Sequence, residues 1–178
     1  EHMQLIVKAA AGEYTVSRRM MLDIELERGG EIIYRDKALN DVVLHGYGDC
    51  IRLTAWCAGD RITSFSGDGI ILSTPTGSTG YSMSAGGPIV EPEASAIIVS
   101  PICAHMMSAR SYVLSASHDV SVLAEKLHGR RAYISVDGNS VMDLTNGDLL
   151  RVRRSERCIL MADMGLKSFF DLAFEKLT

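Results

Sequence analysis

Apolar and polar residues alternate along much of this chain with a period of two. Met20, Leu22, Ile24 and Leu26 alternate with Met21, Asp23, Glu25 and Glu27, which predicts a half-buried strand. Gly29-Gly30 turns that strand into Glu31–Arg35. Ala38–His45 reads as one further strand. Ile51, Leu53, Ala55 and Cys57 alternate against Arg52, Thr54 and Trp56, and Ala58-Gly59-Asp60 turns this strand into Arg61–Phe65. Strand candidates continue at Ala96–Ser100, Ser111–Ala116, Val120–Ala124, Ala132–Asp137, Ser140–Leu144, Leu149–Arg153 and Cys158–Ala162. Asp137-Gly138-Asn139 and Asn146-Gly147 mark tight turns between them. A clear helical period appears only at the end, where Leu166, Phe169, Phe170, Ala173, Phe174 and Leu177 form one apolar stripe. Gln4–Ala11 reads as a short helix or the tail of a linker, and a short helix is expected near Tyr81–Gly86. Ten or more short strands with few helices predict a mainly β fold. The expected form is an antiparallel, multi-stranded β-sandwich with a C-terminal helix, not a doubly wound α/β sheet.

The chain has 178 residues, 47% of them hydrophobic, enough to bury the core of a single domain. Glu1-His2-Met3 resembles a cloning remnant, so 4–178 is read as one domain beginning at a chosen boundary in a longer protein. The net charge is −4. The basic cluster Arg151-Val152-Arg153-Arg154 reads as a solvated strand face, so nucleic acid is not the expected partner. No apolar run reaches the length of a membrane span, and no signal peptide is visible. The expected compartment is the cytoplasm. Cys50, Cys57, Cys103 and Cys158 match no zinc-site spacing and read as small buried thiols. No His-Glu-x-x-His helix occurs, so no metal ligands are assigned.

Residues 74–90 carry the most chemistry. They read Thr-Pro-Thr-Gly-Ser-Thr-Gly-Tyr-Ser-Met-Ser-Ala-Gly-Gly-Pro-Ile-Val, with seven hydroxyls and four glycines. Such a run can present backbone N–H groups and hydroxyls to an anionic or sugar-bearing ligand. Gly77-Ser78-Thr79-Gly80 is followed by Tyr81, so it is not a Walker A loop. Gly67-Asp68-Gly69 and Gly46-Tyr47-Gly48 lack the third glycine of a dinucleotide fingerprint. There is no Gly-x-Ser-x-Gly elbow. Asn40-Asp41 sets an amide beside a carboxylate, a pair suited to the vicinal diol of a ribose, though such a pair taken alone is usually a turn or strand-edge feature. Asp68 and Asp137, each followed by Gly, read by default as hairpin-turn residues.

Several blocks, in order and in spacing, resemble NAD kinases from Tyr14 through Leu177. They are Ala38-Leu39-Asn40-Asp41-Val42-Val43, Ser66-Gly67-Asp68-Gly69-Ile70-Ile71, the 74–90 loop, Ser100-Pro101-Ile102-Cys103-Ala104-His105, Ser135-Val136-Asp137-Gly138 and Lys167-Ser168-Phe169-Phe170. The resemblance implies the sandwich of the family's C-terminal domain and a parent transferase that phosphorylates the adenosine ribose 2′-OH of NAD, a step in NADP biosynthesis. It implies that Asn40 and Asp41 hold ribose hydroxyls. Thr79, Gly80, Tyr81, Ser82, Met83 and Ser84 would wrap the dinucleotide, with Tyr81 packing on a ring and Thr76 and Cys103 lining the same region. Asp68, Asp137 and Asn139 would meet the nicotinamide or adenine end. Asp41 stands where many members carry Glu, Gly80 where Ala is common and Ala104 where Pro is usual; Arg110 is followed by Ser111 rather than Pro.

The family's Gly-Gly-Asp-Gly-Thr motif does not occur in this chain. The resemblance places that motif, with the catalytic base and the ATP phosphate loop, in an N-terminal domain. No catalytic residue is therefore assigned here, and the chain alone is expected to be inactive. ATP or polyphosphate as donor, a divalent cation such as Mg²⁺, the N-terminal domain and a homo-oligomer (dimer or tetramer) are the implied cofactors and partners. Two alternatives stand beside this reading: a non-catalytic NAD/NADP-sensing module, and a lipid kinase-like domain of the diacylglycerol or sphingosine type.

Overall fold

The structure, a computed structural model, describes residues 2–106 and 109–177; the side chains of His2, Lys176 and Leu177 are also outside the description. The remnant reading of Glu1, and Leu177 as a member of the apolar stripe, thus lie outside the described residues. The elements in chain order are α1 (His2–Ala10), β1 (Thr15–Arg28), β2 (Glu31–Ala38), β3 (Asp41–Gly46), β4 (Ile51–Cys57), β5 (Asp60–Gly67) and β6 (Gly69–Ser73). A 3-10 turn (Thr76–Thr79) then leads into α2 (Tyr81–Ser84). β7 (Ala96–Ile102), β8 (Tyr112–Ser115), β9 (Val120–Glu125), β10 (Ala132–Val136), β11 (Asn139–Asp143), β12 (Leu149–Asp163) and α3 (Phe169–Leu177) follow.

The strands form two six-stranded antiparallel sheets. The back sheet has the order β2-β1-β12-β9-β4-β5 and the front sheet β11-β10-β3-β6-β7-β8. The period of two explains their packing, because one side of each strand is apolar. Leu22, Ile24 and Leu26 of β1, Leu53 and Ala55 of β4, Val120 and Val122 of β9, and Leu150 and Val152 of β12 meet Val42 and Leu44 of β3, Ile70 and Leu72 of β6, Ile97 and Val99 of β7, and Ile134 and Val136 of β10 in one buried cluster. Each fully buried Leu or Ile contributes roughly 1.5–3 kcal/mol of transfer free energy. This is the expected mainly β sandwich.

Three local expectations are corrected. Ala38–His45 is not one strand: β2 ends at Ala38 in the back sheet and β3 begins at Asp41 in the front sheet, so Leu39-Asn40 is a corner between layers. Asp68 does not close a hairpin: β5 belongs to the back sheet and β6 to the front, and Asp68 lies at the crossing. Gly67 and Gly69 fit that crossing because a Cβ at Gly67 would lie 2.8 Å from the Ile102 carbonyl oxygen, and one at Gly69 2.4 Å from that of Leu44. Leu149–Arg153 and Cys158–Ala162 are a single strand, β12, that runs with β1 from Glu27↔Leu149 to Thr15↔Asp163. Beyond Leu22 that pair leaves its neighbours behind as a two-stranded arm, with Val16, Ile159, Leu160 and Met161 exposed. Asp137-Gly138, by contrast, is a true hairpin turn, with φ of 46° and 81°.

The apolar stripe of α3 faces outward in this chain, with Phe170 67% and Phe174 72% exposed. The cysteines are free; Cys50, Cys57 and Cys158 are half-buried and Cys103 is exposed, which corrects the expectation of four buried thiols. Arg151, Arg153 and Arg154 lie on a solvated face as expected, the first two paired with Glu27 and Asp23. No helix among the described residues is long and apolar enough to cross a membrane.

One ion pair locks the start of β12. Arg28 donates from Nε and a terminal nitrogen to the two carboxylate oxygens of Asp148 at 2.8 and 2.7 Å, and the backbone N–H and hydroxyl of Thr145 donate to the same carboxylate. Burial alone would raise the Asp148 carboxyl, but the hydrogen bonds from Arg28 and Thr145 outweigh it and hold the group below its ordinary value of 3.8. A lowered folded-state value means that this stability is present above about pH 4 and lost as pH falls through the lowered value. Asp148→Asn should cost about 2–3 kcal/mol, below the usual loss for a buried pair because Arg28 stays within reach of water. Urea unfolding at pH 7 and pH 3 tests this. A loss that does not shrink at acid pH would show that the charge is not what holds the turn.

Candidate functional site

The outer face of the front sheet carries the chemistry. Register sets out its side chains in rows. Tyr133, His45, Gly69 and Ile102 form one row, Ser135, Val43, Ile71 and Ser100 the next, and Asp41, Ser73 and Ile98 a third. The 74–90 loop folds back over this face. Val43, Ile71 and Ile102 make a small apolar floor beneath Ala85, and the Ser82 and Ser100 hydroxyls meet at 3.0 Å.

Short polar links and close backbone contacts pin the loop. Thr74 is buried; its hydroxyl donates to the Leu39 carbonyl at 2.6 Å and accepts the Gly77 N–H at 3.1 Å. Ser78 ties the ends together, accepting the Val90 N–H at 3.0 Å while its hydroxyl donates to the Pro75 carbonyl at 2.7 Å. Gly77 lies directly on the Leu39-Asn40 corner, where a Cβ would come within 2.1 Å of the Asn40 carbonyl oxygen. Asp137 fixes the corner from the other side, its carboxylate accepting the N–H groups of Leu39, Asn40 and Asp41 at 2.8, 2.7 and 3.0 Å. The expected ligand residue Asp137 is thus also the clamp of the Asn40-Asp41 turn.

Asp41 is 7% exposed, and no hydrogen bond among the described residues reaches its carboxylate. Burial first, then the neighbouring charge of Asp137, pushes its carboxyl up to about 6. The hydroxyls of Ser73, its partner in the ladder, and Thr76 are buried with no partner among the described residues. A buried acceptor beside unpartnered hydroxyls is an arrangement that a polyhydroxyl ligand would complete. Asn40 lies exposed at the rim.

Tyr81 opens α2, is 41% exposed and has its hydroxyl 3.2 Å from His45 Nε2. Burial first, then Tyr133, Cys103, Asp68 and Asp41 nearby, pushes its phenol up, so these groups share one neighbourhood. Asp68, accepting from the Cys103 thiol, raises the latter. Cys103 is exposed with φ of 44°.

Of the residues expected from sequence, Asp41, Asp68, Thr76, Tyr81 and Cys103 gather on this face. Ser82 is buried beneath α2 and braces it, Met83 is half-buried, and Thr79, Gly80 and Ser84 sit at the exposed rim. Asn139 lies exposed at the start of β11, beyond the hairpin turn. His45, Ser73 and Tyr133 were missed. Period two puts His45 on the same side as Asp41, a signal available in the sequence; Ser73 and Tyr133 needed the register. Elsewhere, a depression of about 340 Å³ on the back sheet is lined by Asp23, Glu25, Asp119, Arg151 and Arg153. Its charges pair with their own neighbours, Asp23 with Lys37, Glu25 with Arg35 and Arg151 with Glu27, so it reads as a solvated lattice. Among the described residues no three His, Cys, Asp or Glu side chains gather to hold a metal ion.

Comparison with known proteins adds a second line of evidence. The sequence profile of the ATP-NAD kinase C-terminal domain matches residues 17–163. An NAD kinase from Geobacter metallireducens is 38% identical over 169 residues, spanning 93% of this chain and 59% of the relative. One from Acetivibrio thermocellus is 38% identical over 162 residues, 90% of this chain and 56% of the relative. The chain therefore spans less than two thirds of the curated relatives it matches. Yeast NADH kinase, solved in complex with NADH, superposes with a TM-score of 0.91 at 28% identity, covering 99% of this chain and 54% of that one. An Archaeoglobus fulgidus NAD kinase in complex with ATP gives 0.75 at 26% identity, over 97% of this chain and 64% of that one.

Proposed function

We infer the function from one premise: this chain belongs to the NAD kinase family and carries its C-terminal domain. On this reading the outer face of the front sheet holds NAD for phosphorylation of the adenosine ribose 2′-OH to NADP. The observation that carries it is Asp41, a buried carboxylate that no donor among the described residues reaches, set on the same face as the hydroxyls of Ser73 and Thr76, which have no partner among those residues, and roofed by the 74–90 loop. A ribose diol supplies two O–H donors to that carboxylate in charge-assisted bonds, while Asn40 at the rim offers an amide. Tyr81 packs its ring on a base, burying apolar area on both partners. Thr79, Gly80, Ser82, Met83 and Ser84 shape the wrap around the dinucleotide; Asp68, Cys103, Asp137 and Asn139 border it.

Phosphoryl transfer from ATP or polyphosphate depends on positioning and charge neutralisation more than on covalent chemistry. This domain supplies the acceptor's position. We assign the base and the donor phosphate site to the family's N-terminal domain. Among the described residues no cluster of His, Cys, Asp or Glu gathers to hold a divalent cation, so Mg²⁺ is placed with the donor and no step runs through it here. The exposed arm and the outward faces of α1 and α3 leave apolar surface for that domain and for a second copy of the chain, in a cytoplasmic enzyme.

Two measurements test the reading. Calorimetric titration of NAD into the 178-residue chain should give saturable binding. A coupled assay of NADP formation with ATP and Mg²⁺ should give only background. Robust turnover by this chain would overturn the placement of the base, and absence of binding at millimolar NAD would overturn the site.

A further inference from the structure

The ring of Tyr81 follows Gly80, begins a helix of one turn and stands 41% exposed. Little in its own element fixes it. What reaches it is His45, from the middle of β3. His45 Nδ1 lies 2.6 Å from the Gly46 carbonyl, a contact that requires the proton on Nδ1. In the neutral ring Nε2 then keeps its lone pair and accepts the Tyr81 hydroxyl at 3.2 Å. The two rings lie 25° apart in plane, with centroids at 6.5 Å. Behind His45 stands Tyr133 at 5.6 Å, then Tyr47 at 4.5 Å from Tyr133, with the Arg131 guanidinium 4.5 Å above the Tyr47 ring. The Tyr47 hydroxyl donates to Asp143 at 3.0 Å and fixes the far end. The series runs from the edge of the front sheet to the mouth of the site.

We propose that His45 is a positioning residue: through Nε2 it holds the Tyr81 ring at the angle at which that ring receives the dinucleotide. This rests on reading the face as the NAD site. An exposed tyrosine free to rotate would have to be ordered when ligand binds, and a side chain already held does not bear that cost. His45 touches neither base nor sugar in this scheme; it acts through the phenol.

The test is a double-substitution cycle read by calorimetric titration of NAD into the chain carrying His45→Phe, Tyr81→Phe or both. Each single change should weaken binding about 2- to 12-fold, the range of one net hydrogen bond. The double should be no weaker than the weaker single, because both changes remove the same bond. His45→Gln, whose amide oxygen can accept, should recover part of the loss. In the ligand-free chain, Tyr81→Phe should also move the ¹⁵N resonance of His45 Nε2, a readout that remains if His45→Phe does not fold. Unchanged affinity in folded His45→Phe, additive losses, or an unmoved Nε2 resonance would each overturn the proposal. If the unsubstituted chain fails to bind NAD, the site reading itself falls and the proposal falls with it.

Discussion

Asp41→Asn should make the ligand-free chain more stable at pH 7.5 and at the same time weaken NAD binding. Both effects come from one cause. The Asp41 carboxyl is raised from 3.8 to about 6, chiefly by burial and then by Asp137. A folded-state value above the unfolded one gives stability that is fully present below about pH 4 and lost as pH rises through about 6. At pH 7.5 the folded chain therefore holds a buried charge that no described residue pairs, and removing it should return about 1–3 kcal/mol. At pH 4 the carboxyl is largely protonated when folded, and the gain should vanish. Bound ribose hydroxyls would satisfy that same charge, so its loss should weaken NAD binding by about 1.5–3 kcal/mol, tenfold or more. Urea titrations at the two pH values, with calorimetry at pH 7.5, separate the effects. A folded Asp41→Asn chain that binds NAD as before would reject the ribose role. Equal stability changes at both pH values would reject the charge cost.

Gly77→Ala should damage the site more than its single methyl group suggests. The added Cβ would come within 2.1, 2.6 and 2.8 Å of the Asn40 oxygen, carbonyl carbon and Cα. These are backbone atoms on a corner that Asp137 clamps with three hydrogen bonds, so the loop must yield instead. Overpacking of this kind costs about 1–3 kcal/mol, which for a chain of this size lowers the melting temperature by roughly 3–10 °C. The functional loss should be larger, because displacing the loop by about 1 Å moves Thr76 and Tyr81 away from Asp41 and can cost about 100-fold. Gly80→Ala is the internal control. Its Cβ would meet only the Gly77 oxygen, at 3.3 Å, so it should melt close to the unsubstituted chain. Equal behaviour of the two variants would mean that the close contact at Asn40 does not hold the loop.

The sandwich was legible because β1, β9 and β10 alternate dry and wetter positions, while β3, β6 and β7, buried on both faces, read as short apolar runs. Where both sides are wet, the pattern fails. β12 looked like two strands because Arg154, Glu156 and Arg157 interrupt the alternation just where the strand leaves the sheet and enters the arm. The corners at Leu39-Asn40 and Asp68 looked like strand interior and hairpin because a local turn signal does not say which layer the next strand joins. The helical period of α3 was readable, but not which surface it meets. In the site, Asn40, Asp41 and the 74–90 loop stood out as strings. His45, Ser73 and Tyr133 did not, since their part depends on strands far apart in sequence being set side by side.

The pairing of β1 with β12 also governs the order in which the domain can form. Within this domain β1 emerges before the other strands, yet its partner β12, from Leu149 to Asp163, follows all of them. Every strand of the front sheet is complete by Asp143. That sheet can assemble while the chain is still being made, whereas β1, with only the β2 hairpin beside it, waits with an open edge and Leu22, Ile24 and Leu26 uncovered. Closure across so long a stretch of chain is slow, and an edge left open invites wrong partners. The nascent domain is thus most exposed to chaperones and to aggregation just before β12 emerges.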